Sequence, residues 1–154
     1  MKTVNEFQGE HRWLSNFWPV KIEYQGLVYP TVEHAYQAAK TNSPGLRQKI
    51  QAIPVNEPGK AKRIGKRLVI DQDIWETTKE RVMLQLLREK FKDPVLRAKL
   101  LATGNAQLEE GNNWGDTYWG VCLGKGKNRL GILLMQVREE LRFECTSNVE
   151  TKKK

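Results

Sequence analysis

What this sequence has little of narrows its chemistry first. Only two cysteines, Cys122 and Cys145, occur in 154 residues. That is too few for a disulfide scaffold, and a cytoplasmic location is expected. The two histidines, His11 and His34, stand far from both cysteines and show no zinc-ligand spacing, so no metal is expected. The longest apolar run, Gly131 to Met135, falls well short of the ~20 residues that cross a bilayer. No apolar stretch of signal-peptide length follows Met1, so neither a leader nor a membrane partner is expected. Glycine-flanked serine is absent, which leaves a hydrolase triad without support. Gly59 and Gly65 do not frame a P-loop, because Lys66 is followed by Arg67. Gly124 and Gly126 lack the third glycine of a dinucleotide fingerprint.

What is present is charge of one sign. Lysine and arginine number 26 against 18 acidic residues, a net +8, and the sequence pI is about 9.6. Such a surplus favours phosphate-bearing partners, nucleotides or nucleic acid. Lys60, Lys62, Arg63, Lys66 and Arg67 crowd into eight residues, either as a nucleic-acid contact or as a solvated helix face. The length suits one domain, expected over residues 1–145, with 146–154 as a disordered basic tail.

Local signals place the elements. Val20–Tyr24 alternates apolar and polar, Gln25-Gly26 turns, and Leu27–Tyr29 returns as a hairpin partner. Thr31 is placed to cap a helix to about Thr41, and Ser43-Pro44 opens another. A third helix carries the basic cluster, with Ile64 and Leu68 expected to face inward. Helical periodicity then runs from about Asp73 to Lys92, Asp93-Pro94 restarts a helix, and residues 106–110 suit a short strand. Asn128 is placed to cap a last helix with Leu130, Leu133, Leu134, Val137 and Leu141 on one face. Helices without βαβ alternation point to a compact, helix-rich α+β domain.

Three segments carry chemistry. In the helix after Thr31, Glu33, Tyr36, Gln37 and Lys40 share a stripe at i, i+3, i+4 and i+7. Glu33 lies in the first turn, where the helix dipole favours the ionised form. The same stripe also fits an amphipathic helix with a solvated lysine. A second segment, Glu109 to Gly120, gathers Glu109, Glu110, Asp116, Trp114 and Trp119 among glycines and asparagines. Its tryptophans suit either loop anchoring or base stacking. The third, Gly124 to Arg129, sets Lys125, Lys127 and Asn128 where a phosphate could meet a helix N-terminus. It equally suits a basic turn with an asparagine cap.

Taken together, these segments resemble the NADAR family, named for NAD and ADP-ribose, to which YbiA-like N-glycosidases belong. The marks are Leu14-Ser-Asn-Phe17, Tyr29 to Lys40, Trp75 with Lys79 and Val82-Met83, Lys90-Phe91, Leu108-Glu-Glu110, Asp116 to Gly120, and Gly126 to Arg138. The resemblance implies a helix-rich α+β fold and hydrolysis of an N-glycosidic bond at ribose C1′, with no cofactor. Its substrates are phosphorylated ribosides, either ADP-ribose on guanine or early riboflavin-pathway intermediates. By position the family's functional residues fall on Glu33, Trp75, Glu110 and Trp119, with Asp116 and Lys40 in the same blocks. Glu33, Glu110, Asp116 and Lys40 are expected to be catalytic, and Trp75, Trp119, Tyr36, Asn16, Lys125, Lys127 and Asn128 to bind substrate. Alignment on Leu108 favours Glu110 over Glu109. Gly120-Val-Cys122 departs from the acidic, glycine-rich continuation of the riboflavin-pathway members. Three expectations follow. They are removal of ADP-ribose from guanine, cleavage of riboflavin intermediates, and a non-catalytic module that binds ADP-ribose, DNA or RNA.

Overall fold

Gln25 and Gly26 both adopt positive φ, 47° and 86°, the backbone of a two-residue turn whose twist matches its flanking strands. The turn joins β2 (Ile22–Tyr24) to β3 (Leu27–Tyr29) in the expected antiparallel hairpin, with Ile22 opposite Tyr29. The computed structural model describes the backbone of residues 2–152 and the side chains of residues 2–146. The architecture is α+β, with six α-helices and three two-stranded sheets among the described residues. The chain divides into two compact units, Leu14–Lys90 and a unit formed by the segments before and after it.

In the Leu14–Lys90 unit, α1 (Val32–Ala38) is buried along its whole length. Thr31 caps it as expected, its hydroxyl accepting the His34 N–H at 3.0 Å. The His34 Nε2 lies 3.1 Å from the Ile53 carbonyl. Because a carbonyl only accepts, Nε2 carries the proton and Nδ1 takes the Thr31 hydroxyl at 2.7 Å. Burial lowers the His34 pKa, in keeping with a neutral structural ring. Ser43 caps α2 (Pro44–Gln51). On α3 (Pro58–Arg67) the buried residues are Pro58, Ala61 and Gly65. Ile64 and Leu68, expected inward, are only half-buried. The small face lets α3 approach α1 more closely than branched side chains would allow. The long α4 (Gln72–Lys90) packs Trp75, Met83, Leu86 and Leu87 inward.

The other unit opens with β1 (Thr3–Val4), which pairs in parallel with β4 (Gln107–Leu108), followed by a short 3-10 helix over Gly9–Leu14. Asp93 caps α5 (Pro94–Ala102), accepting from Val95 and Leu96. β5 (Gly111–Asn112) pairs in parallel with β6 (Val121–Cys122). The last helix, α6 (Arg129–Lys152), buries Leu130, Leu133, Leu134, Val137 and Leu141. Its backbone runs helically into the segment expected to be a tail, and Lys153 and Lys154 lie outside the described residues. Among the described residues, no helix is long and apolar enough to cross a membrane.

Candidate functional site

The stripe on α1 is not a solvated face. Glu33, Tyr36 and Gln37 are all buried, Glu33 with 7% of its surface exposed. The Glu33 N–H donates to the Asn16 carbonyl at 3.0 Å, so the Leu14–Phe17 segment ties down the start of the helix. Asn16 Nδ2 reaches Met83 Sδ at 3.7 Å. Its buried Oδ1 meets no hydrogen-bond donor among the described residues. Gln37 Nε2 donates to Glu33 Oε1 at 2.7 Å. Sequence reasoning put Gln37 on the stripe without assigning it a role, although its i+4 spacing from Glu33 was the available signal.

Lys40 sits just beyond the end of α1. Its Nζ stands 5.7 Å from the Tyr36 ring centroid and 5.9 Å from that of Trp75. The two rings lie 5.2 Å apart and tilted. Burial lowers the Lys40 pKa. The neighbouring Glu33 charge opposes that shift, while Lys66, Lys62 and Lys79 reinforce it. The result is an amine held near a carboxylate and two aromatic faces, readier to lose its proton than a surface lysine. A cleft of about 440 Å³ opens beside Lys40 and Trp75 and is bounded also by Tyr24, Arg47 and Arg81. Arg47 lies over the Tyr24 ring at 5.6 Å. Cations beside flat rings suit a planar, anionic ligand. Of the basic cluster, Lys60, Arg63, Lys66 and Arg67 are exposed.

In the other unit, Glu110, Asp116, Trp119 and Asn128 form a second group. The Glu110 N–H donates to Asn128 Oδ1 at 3.0 Å, and Asn128 Nδ2 donates to the Leu108 carbonyl at 2.8 Å. The Asn128 side chain therefore pins the strand before Gly111 to the start of α6. Its own backbone is left-handed, with φ 51°. Glu110 Oε2 is buried, and Gly120 makes room for the Glu110 backbone carbonyl and the Asn112 amide, which a Cβ there would meet at 2.3 and 2.7 Å. Glu109, by contrast, spends its backbone N–H on the Val4 carbonyl. Asp116 Oδ1 accepts from the Tyr118 and Trp119 N–H groups at 3.1 and 2.9 Å, the geometry of a side-chain-closed turn. Asn112 closes the same loop, donating to the Asp116 carbonyl at 2.9 Å. Trp119 is half-buried and meets Tyr118 edge-on at 5.0 Å. Lys125 and Lys127 are exposed, and Lys127 Nζ lies 5.5 Å from the Tyr118 ring centroid.

A family model described as the NADAR domain matches residues 4–142. The N-glycosidase YbiA of Escherichia coli (strain K12) is 45% identical over 135 residues, covering 84% of this chain and 81% of that protein. The riboflavin biosynthesis protein VVA0006 of Vibrio vulnificus is 35% identical over 142 residues, covering 90% of this chain and 38% of that protein. The NMR structure of the E. coli protein YbiA superposes with a TM-score of 0.82 at 38% identity, covering 94% of this chain and 88% of that one.

Proposed function

The chain belongs to the NADAR domain family and is an N-glycosidase, and we propose that it hydrolyses the bond at ribose C1′ of a phosphorylated riboside, most specifically ADP-ribose attached to guanine. The observation that carries this reading is the buried Glu33 carboxylate on α1, in the same unit as the Tyr36–Lys40–Trp75 group. Breaking a ribose–nitrogen bond builds positive charge on the sugar. A fixed carboxylate stabilises that charge, and a carboxylate can also align the attacking water. Stacking and proton donation help the base depart.

The cleft beside Trp75 supports a substrate larger than one nucleotide, since it adds flat rings and cations beyond Lys40. The basic α3 surface supports a nucleic-acid carrier, DNA or RNA. Glu110, half-buried with its Oε2 enclosed, is the second candidate carboxylate. Asp116 shapes the loop that presents Trp119. Lys40, with its lowered pKa, supports a covalent route in which its amine traps ring-opened ribose as a Schiff base. Borohydride added during turnover separates that route, which leaves a reduced adduct on the Lys40 peptide, from direct hydrolysis, which leaves it unmodified.

A second reading, cleavage of early riboflavin-pathway intermediates, is supported by the relatives named as riboflavin biosynthesis proteins. The Gly120-Val-Cys122 departure weighs against it.

Glu33→Gln tests the proposal. It keeps the side chain's size and removes its charge. Electrostatic stabilisation of this kind is commonly worth about 3–4 kcal/mol, or 10²–10³ in kcat. KM should change much less, because the cation forms only near the transition state. A folded Glu33→Gln enzyme with near-normal turnover removes Glu33 from the reaction.

A further inference from the structure

Gln37 is 3% exposed, and the two ends of its amide have unequal surroundings. Nε2 donates to Glu33 Oε1 at 2.7 Å. Oε1 is buried and meets no donor among the described residues. A carboxylate oxygen only accepts, so the amide must turn its NH₂ toward Glu33 and leave its carbonyl facing α3. The residue opposite is Gly65, also buried. A Cβ there would fall 1.7 Å from Gln37 Oε1 and 2.5 Å from its Cδ. Gly65 needs no left-handed backbone, so its lack of a side chain is a matter of space. The slot it leaves is filled by the Gln37 amide.

A leucine or methionine at 37 would fill the same slot without burying an unmatched carbonyl. What the amide adds is a donor fixed on the carboxylate, which lowers the cost of ionising it and restricts its rotamers. We propose that Gln37, seated in the Gly65 slot, is the positioning residue that holds the Glu33 carboxylate ionised and oriented for N-glycosidic cleavage. This rests on the role given to Glu33 above. The placement also makes the side chain of residue 65 a determinant of turnover, although it belongs to a helix otherwise marked by its basic surface.

Three variants test it by the pH dependence of kcat, beside KM and thermal unfolding: Gln37→Leu, Gln37→Glu and Gly65→Ala. Gln37→Leu should fold at least as stably and lose roughly 10- to 100-fold in kcat, as expected for a lost hydrogen bond to a charged group. Its acid limb should move to higher pH, because the carboxylate loses the donor that Gln37 supplies. Gln37→Glu should move that limb further, since two carboxylates at this distance share a proton. Gly65→Ala should reproduce the kcat loss by displacing the amide. Adding Gln37→Ala to Gly65→Ala should recover stability but not rate. Unchanged kcat and acid limb in Gln37→Leu, with Glu33→Gln inactive, would show that Gln37 only packs, and would overturn this proposal while leaving the role of Glu33 intact. Full activity of Glu33→Gln would remove the basis of both.

Discussion

Lys90 shows how much a single residue can be asked to bear. It is wholly buried, its Nζ donates to the Ser15 carbonyl at 2.8 Å, and burial pushes its pKa from 10.5 down to about 7. Between those two values the unfolded chain holds a proton here that the folded chain has lost. Stability should therefore rise with pH across that window and be lowest, from this source, below it. Lys90→Met should flatten that rise, as urea unfolding at pH 7 and pH 10 can establish, and parallel curves for the two proteins would contradict the assignment. Trp119→Ala belongs to the same scale. The ring is half-buried and supported edge-on by Tyr118, so its loss should impair activity well before stability. A sharp drop in unfolding temperature with normal turnover of the folded fraction would make it an anchor instead. The spacing of the α1 stripe left it open between a functional row and a solvated amphipathic face. Its burial was not legible, because the cover comes from residues far along the chain, among them the small face of α3. Asp116 was legible as a carboxylate beside tryptophan, but its use in closing a turn depends on backbone geometry that composition does not carry.

Several element ends written locally were read correctly, whereas the side chain of Asn128, expected to cap α6, bonds the Glu110 N–H and the Leu108 carbonyl instead. Thr31, Ser43 and Asp93 each cap the helix they precede, and Gln25-Gly26 turns the hairpin. The two-residue strands β1, β5 and β6 escaped reading. Too short to show alternation, they exist only through partners elsewhere, as Thr3 does through Gln107. On α3 the apolar bulk of Ile64 and Leu68 suggested the inward face, whereas close approach to α1 selected Pro58, Ala61 and Gly65. Lys60, Arg63, Lys66 and Arg67 are thereby turned outward. Changing Lys62, Arg63, Lys66 and Arg67 to Gln should weaken binding to DNA far more than to a nucleotide-sized substrate, and should reduce the salt dependence of DNA binding. Equal affinity for DNA before and after the change, measured by titration at two salt concentrations, would reduce the cluster to a solvated face. The same change removes Lys62 and Lys66 from the surroundings of Lys40, so it should raise the pH at which Lys40 loses its proton.

At the scale of the whole molecule, the chain divides into two compact units, Leu14–Lys90 and the segments before and after it. The candidate residues sort with them: Glu33, Gln37, Lys40 and Trp75 in Leu14–Lys90, and Glu110, Asp116 and Trp119 in the other. The family was legible because seven short blocks occur in order over nearly the full chain, and the family match over residues 4–142 agrees. The proposed preference for a phosphorylated riboside rests on the net charge of +8 and on the basic, aromatic cleft beside Lys40. The most direct measurement is incubation of the purified protein with DNA ADP-ribosylated on guanine, in parallel with early riboflavin-pathway intermediates, following released sugar and base by chromatography. The account predicts release of ADP-ribose from the DNA, leaving guanine in place, at a rate exceeding cleavage of the riboflavin intermediates. Release from neither substrate by folded protein would contradict it.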